Sequence, residues 1–190
     1  MAPPLVWDGG PLGCTGPPPL PGPRTRLPPN YYISRLVEPG IGFQVGRGWT
    51  TEQQTPGFFD IQDDPGSPDV VAVQFANIVG AETAAEAAQQ IAARENLVID
   101  GPTDVEINGR PAVRLTVEST DPLDTDPPAF HQVLTVAAGP LSIASARRLQ
   151  INLLDIDGGV LAILVGGSVE KWDRAVRVSA PVLESVFILD

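Results

Sequence analysis

Residues 147–165 read RRLQINLLDIDGGVLAILV and contain the longest unbroken apolar run of the chain, Val160–Val165. Two strand-length segments, Arg147–Ile156 and Val160–Val165, flank the tripeptide Asp157-Gly158-Gly159, which is typical of a hairpin turn. A strand without alternating polar residues is covered on both of its faces. The stretch therefore predicts a hairpin whose second strand lies at the centre of a sheet.

A second hairpin is predicted upstream, where Asn108-Gly109 separates the strand-like segments 104–107 and 110–118. A two-residue type I′ turn needs positive φ at both central positions, and Asn-Gly tolerates this best. Successive side chains of a strand point to opposite faces. In the second segment Val113, Leu115 and Val117 share one face, and Arg114, Thr116 and Glu118 share the other.

Two helices are predicted from apolar residues at helical spacing. Ala81–Glu95 has alanines and one isoleucine on one face and charged or amide residues on the other. The second helix begins after Ser168, a good N-cap residue, and includes Trp172. Pro181 is expected to end or kink it near Ala180, because proline removes a backbone donor and disfavours helix at the preceding residue.

The first half of the domain is rich in short strands. Four are predicted before the turn-rich residues 63–68, and a longer one runs from Val71 through Ile78. The four early segments are Tyr31–Val37, Gly42–Val45, Gly48–Gln53 and Phe58–Gln62. Phe58 and Phe59 are adjacent, so they point to opposite faces of their strand. We expect one of the two to be exposed as a protein contact.

The first 30 residues hold ten of the 21 prolines and show no helical or strand period. This composition predicts an extended, disordered tether over residues 1–30 and a single domain over 31–190. An alternative is that the arm is a ligand for an aromatic-lined groove of a partner, with Arg24 as its flanking charge.

The formal net charge of −11 makes nucleic acid and anionic membrane surfaces poor partners. Membrane insertion is not expected either, because no apolar run approaches the length of a spanning helix. One cysteine and one histidine provide no Cys/His cluster for a metal or haem, so no cofactor is predicted. Residues 1–15 carry no base and no continuous apolar stretch, so no signal peptide is expected in this chain.

Catalytic chemistry would have to use few residues. A nucleophilic site would need His131, which lies in an apolar strand without a nucleophile elbow. Asp155 and Asp157 are a possible acid and base pair, although both flank a tight turn where aspartate is common. The acidic stretch with Asp121, Asp124 and Asp126 is the candidate cation site, and its spacing matches no calcium loop, so a solvated loop is the alternative.

Three groups of residues resemble the PsbP-like family over about residues 31–190. They are Gly42-Phe43-Gln44-Val45 with Gly48-Trp49, the turn Ile107-Asn108-Gly109-Arg110-Pro111-Ala112, and Leu153–Val165 leading through Trp172 to Glu184-Ser185-Val186-Phe187. The resemblance implies an α+β fold with a single antiparallel sheet and helices on both faces, an α/β/α sandwich. It also implies a bacterial cell-envelope location, because bacterial relatives resemble secreted lipoproteins or envelope domains. Cys14 departs from the lipoprotein pattern.

These observations predict a non-catalytic binding or assembly module whose partner is another protein. Two alternatives stay open: a small hydrolase with a carboxylate-based site, and a cytoplasmic adaptor whose proline-rich arm is the ligand. The motifs concern turns and packing, which specify a fold better than a function.

Overall fold

The computed structural model describes residues 16–121 and 129–189, and these residues form twelve strands and two helices. The helices are α1 (Ala84–Ala92) and α2 (Trp172–Ser185). The strands, in chain order, are β1 (Asn30–Ser34), β2 (Ile41–Val45), β3 (Trp49–Thr55), β4 (Phe58–Asp63), β5 (Val71–Asn77), β6 (Leu97–Ile107), β7 (Arg110–Ser119), β8 (Phe130–Val136), β9 (Gly139–Ala144), β10 (Arg147–Ile156), β11 (Gly159–Ser168) and β12 (Phe187–Ile188).

The main sheet has seven antiparallel strands in the order β3-β4-β5-β11-β10-β7-β6. The hairpin of β10 and β11 lies in its middle, with Ile156 opposite Gly159. Every residue of Val160–Val165 is buried. The predicted central hairpin is confirmed, because only a strand with layers on both sides can bury such a run.

The β6–β7 hairpin turns at Asn108 and Gly109, as predicted. Their φ angles are 47° and 77°, the left-handed values that a type I′ turn requires at both positions. Ile107 lies opposite Arg110, which makes the connection two residues long. Asn108 also donates its side-chain amide to the carbonyl of Val186, 3.0 Å away, and so ties the turn to the end of α2.

Each face of the main sheet is covered by one helix and one small sheet. Helix α2 packs on β11, β5 and β2, together with the three-stranded sheet β1-β2-β12. On the other face, α1 packs on β7, β10 and β8, and β8 and β9 form a separate hairpin there. The buried apolar residues accordingly form two clusters, one on each side of the sheet.

The predicted fold class is therefore wrong in its central feature. The structure is mostly β, with 53% strand and 14% helix, and has several antiparallel sheets rather than one sheet flanked by helices on both faces. The physical reason lies in the helices. The predicted apolar face of α1 is almost all alanine and each helix is short, so strands must bury the rest of each sheet face.

Pro181, expected to end or kink α2 near Ala180, does not end the helix, which continues through Pro181 to Ser185. Pro181 itself is exposed, whereas Val182 and Leu183 after it are buried. Their packing against the core holds the last turn in place despite the hydrogen bond that proline removes.

Residues 16–30 lie against the domain, which differs from the free tether predicted for residues 1–30. The Leu20 amide donates to Ile33 and the Leu27 amide donates to Trp49, at 2.7 and 2.8 Å. The Leu27 side chain is 1% exposed and belongs to the larger core cluster. This segment therefore covers the outer edges of β1 and β3. The remaining part of the predicted tether lies outside the described residues.

We expect Leu27→Ala to lower the free energy of unfolding by about 2–5 kcal/mol, the range found when a fully buried leucine is truncated. Urea unfolding followed by tryptophan fluorescence measures the change. Arg26→Ala is the matched control, since Arg26 is the exposed neighbour. Equal stability of the two variants would show that the segment contributes nothing to the core.

Candidate functional site

Phe58 and Phe59, predicted as contact candidates, are 6% and 0% exposed. They do point to opposite faces of β4, and they enter different core clusters. Phe59 stacks with Phe43 and Phe75, at ring-centroid distances of 5.7 and 4.7 Å. The expectation of an exposed phenylalanine fails because β4 is covered on both faces, so neither ring offers a protein contact on the described surface.

His131 lies in β8, and its Nε2 contacts the Asp121 carboxylate. This pair gives one of the three predicted acidic-loop ligands a protein partner. Asp124 and Asp126 lie outside the described residues, so the cation site is not tested. Within residues 16–121 and 129–189, the structure shows no group of three or more metal-ligating side chains.

Asp155 and Asp157 have different surroundings. Asp155 Oδ1 accepts a 2.6 Å hydrogen bond from the amide of Ala84, in the first turn of α1. A carboxylate at this position accepts from an otherwise unpaired helix amide and interacts favourably with the positive end of the helix dipole. Asp157 is exposed at the turn between β10 and β11 and lines a cleft at that end of the sheet. Asp155 therefore has a structural partner that accounts for its presence.

This end cleft has a volume of about 540 Å³. Asn77 organises its floor: its side-chain amide donates to the Glu38 carbonyl at 2.5 Å, and its Oδ1 accepts from the Glu38 amide at 3.0 Å. Its backbone amide donates to Gly57, and its carbonyl accepts from Ala137. The polar atoms of Asn77 thus join three loops to one another, and its hydrogen-bonding groups are used within the protein.

Asp60 is a buried carboxylate in β4, 3% exposed. Its Oδ1 accepts from the amide of Gln53, 2.5 Å away, where the register of β3 against β4 is irregular. Its Oδ2 accepts from the side chain of Gln62 at 3.0 Å. Burial raises the pKa of Asp60, and these two hydrogen bonds partly offset the effect. Asp60 therefore accepts from the backbone of the irregular strand β3, and both of its carboxyl oxygens have partners within the protein.

A different arrangement lies beside α2, on the sheet face formed by β10 and β7. Three successive cross-strand pairs on this face each consist of two polar residues. The pairs are Arg148 with Glu118, Gln150 with Thr116, and Asn152 with Arg114. We call these six residues the polar ladder.

At one end of the polar ladder the guanidinium of Arg148 pairs with a carboxylate. Its Nε and Nη2 both donate to Glu118 Oε2, at 2.9 and 2.5 Å. Its guanidinium carbon also lies 5.6 Å from the ring centre of Trp172 on α2. This end of the ladder is a closed structural contact between the sheet and the helix.

At the other end, Arg114 is held by a buried amide. Asn152 is 0% exposed, and its Oδ1 accepts from Arg114 Nε at 2.8 Å. The Asn152 amide group donates in turn to the carbonyl of Ile163, 3.1 Å away. Among the described residues, the two Nη groups of Arg114 have no hydrogen-bond or ion-pair partner. Asn152 thus orients Arg114 through its Nε, and the two Nη groups leave four N–H donors for another partner.

Arg114 lines a groove of about 310 Å³ between α2 and the sheet. The lining residues are Glu106, Ile107, Asn108, Arg114, Gln150, Val176, Ser179, Ala180, Leu183 and Glu184. The wall formed by α2 is largely apolar, and Val176 on it is 41% exposed. Glu184, on α2, is an exposed acid of the groove. The groove combines an oriented cation, an apolar wall and an acid, and we call it the α2 groove.

Sequence reasoning placed Arg114 on the face opposite Val113, Leu115 and Val117, but did not identify it as a site residue. The available signal was Asn152, the polar residue within the apolar part of 147–156, since a buried amide needs a partner. Nothing in the sequence indicated that this partner would be Arg114 on another strand.

Comparison with known proteins yields no matching family model and no matching curated protein. Among solved structures, the PsbP protein CyanoP of Synechocystis sp. PCC 6803 is similar, with 15% identity, a TM-score of 0.50, and coverage of 95% of this chain and 100% of CyanoP. LpqN, described as involved in cell envelope biogenesis of Mycobacterium tuberculosis, matches with 11% identity and a TM-score of 0.46 over 86% of this chain and 87% of LpqN.

The chain has a PsbP-like fold, in agreement with the resemblance noted in its sequence. At this identity the likeness concerns the fold alone and assigns no residue a role. In the described part of the chain, neither helix is long and apolar enough to cross a membrane.

The raised pKa of Asp60 predicts a pH dependence of stability with a definite sign. The folded protein keeps the Asp60 proton to higher pH than the unfolded chain does. The contribution of Asp60 to the free energy of unfolding is therefore complete below its unfolded pKa, about 3.9, and is lost as pH rises through its folded pKa. We expect the free energy of unfolding to fall over this interval, by up to about 1.4 kcal/mol per pH unit.

Asp60→Asn removes the titrating group, so the free energy of unfolding should fall less with pH in this variant. Urea unfolding measured from pH 4 to pH 7 gives this slope. Asp64→Asn, at an exposed position, is the control and should keep the slope of the wild-type protein. An Asp60→Asn variant that follows the wild-type curve at every pH would contradict the prediction.

Proposed function

We propose that this protein is a non-catalytic binding module and that the α2 groove is its binding site. The observation that carries the proposal is the state of Arg114, whose Nε is held by the buried Asn152 while its Nη groups face no partner among the described residues. A side chain that is oriented before the ligand arrives has less conformational entropy to lose on binding.

The hydrolase alternative is supported less well. General acid and base chemistry needs two carboxyl groups directed at one substrate. Asp155 is engaged by the amide of Ala84 in α1, and Asp60 is engaged at the irregularity of β3. Asp157 is exposed on a turn. These contacts favour a structural role for Asp155 and Asp60.

The adaptor alternative requires an accessible proline-rich arm. The Pro18 carbonyl accepts from Ile33, and the Pro21 carbonyl accepts from the side chain of Gln54 at 2.6 Å. A partner that recognised these residues as a polyproline helix would have to compete with the contacts to the domain. We also propose a cell-envelope location, which the family resemblance implies.

A fragment screen by NMR tests the proposed site directly. Isotope-labelled protein is titrated with small organic probes of mixed polarity, and the backbone amides that shift are mapped. We expect the shifts to cluster at Ile107, Asn108, Val176 and Leu183, and to disappear in Arg114→Gln for the polar probes. Arg177→Gln removes a charge from the exposed side of α2 and should leave them unchanged.

Shifts that cluster instead around Asn77 and Asp157 would transfer the site to the end cleft and contradict the proposal. A parallel assay with ester, glycoside and phosphate substrates addresses the enzyme alternative. Turnover that is lost in Asp157→Asn, with an unchanged thermal midpoint, would replace the binding module by the hydrolase.

A further inference from the structure

We infer that the α2 groove recognises the C-terminal carboxylate of an extended polypeptide, with Arg114 as the group that binds it. This inference rests on the proposed function and adds the chemical class of the ligand. It follows from the charge of the groove, from its size and from the strand that borders it.

The charge of the groove selects among anions. The Nη groups of a guanidinium form paired hydrogen bonds with a planar carboxylate or with a phosphate. Here one arginine shares the groove with the acid Glu184, on a chain of net charge −11. A ligand with two or more negative charges is repelled more strongly than one with a single charge. The groove therefore favours a monocarboxylate over a phosphate.

The lining and the volume of the groove limit the rest of the ligand. The wall that α2 provides includes Val176 and Leu183, and Ile107 closes the end near the β6–β7 turn. A volume of about 310 Å³ is near the lower limit of ligand pockets. This space suits a carboxylate with a small apolar side chain and leaves little room for a large molecule.

The affinity that the groove can provide distinguishes a free acid from a chain terminus. A hydrogen bond to a charged group contributes about 1.5–3 kcal/mol, which alone corresponds to dissociation constants above the millimolar range. Further contacts are needed for useful affinity, and strand β6 can supply them. Among the described residues it is the last strand of the main sheet, with β7 as its single neighbour, and its final residues Glu106 and Ile107 line the groove. An extended chain can pair with the free backbone groups of such an edge.

The test compares four probes by NMR titration of the full chain: acetyl-Ala-Ala-Val with a free carboxylate, the same peptide with a C-terminal amide, N-acetylvaline, and inorganic phosphate. We expect the free-acid peptide to shift the Arg114 Nε–Hε signal and the groove amides. The amidated peptide should bind at least about tenfold more weakly, because it loses one charge-assisted contact. N-acetylvaline and phosphate should also be weaker than the free-acid peptide.

Arg114→Gln keeps a donor for Asn152 and removes the charge, so it should abolish the preference for the free acid while the thermal midpoint is retained. Arg177→Gln should retain that preference. The inference is overturned if acid and amide bind alike, if phosphate binds more tightly than the peptide, or if N-acetylvaline equals the peptide. Equal binding of acid and amide at the groove would leave the proposed binding site intact, whereas the absence of groove shifts with every probe would contradict both.

Discussion

Strand β11 is buried on both of its faces, and this burial constrains every other layer of the molecule. An apolar strand in the middle of a sheet is stable only when each face is covered, at a gain of about 25 cal/mol for each Å² removed from water. Helix α2 with the β1-β2-β12 sheet covers one face, and α1 with the β8–β9 hairpin covers the other. On the α2 face the helix packs on β11 and β5, so polar side chains can lie on the neighbouring strands β10 and β7. The polar ladder and the α2 groove are consequences of that geometry.

The same constraint explains why Asn152 determines the character of the groove. It lies in β10, directly beside β11, and is fully buried. A buried amide without partners would cost about 1–3 kcal/mol, so both of its polar atoms have to be satisfied. One bonds to the carbonyl of Ile163, and the other accepts from Arg114. Structural satisfaction of Asn152 thus orients the guanidinium that faces the groove.

Much of the fold could be predicted from local signals, since the unbroken apolar run of β11 and the Asn108-Gly109 turn each carry their structure in a few adjacent residues. The single-sheet prediction failed because the division of strands among sheets depends on contacts between distant segments. Leu27 shows this most clearly: within a proline-rich segment it resembles part of a spacer, yet it fills a place in the core. For the site, only the face of β7 on which Arg114 lies could be predicted. Its pairing with Asn152, 38 residues away, arises from strand order, which local patterns do not encode.

The central claim is that Arg114 is oriented in the absence of ligand, and nitrogen-15 relaxation of the arginine Nε–Hε groups tests it most directly. For Arg114 we predict an order parameter near that of rigid backbone, about 0.85. Arg177, exposed on α2, serves as the internal reference and should lie below about 0.6. If Arg114 is as mobile as Arg177, the bond to Asn152 does not orient it, and the α2 groove is not a prepared binding site.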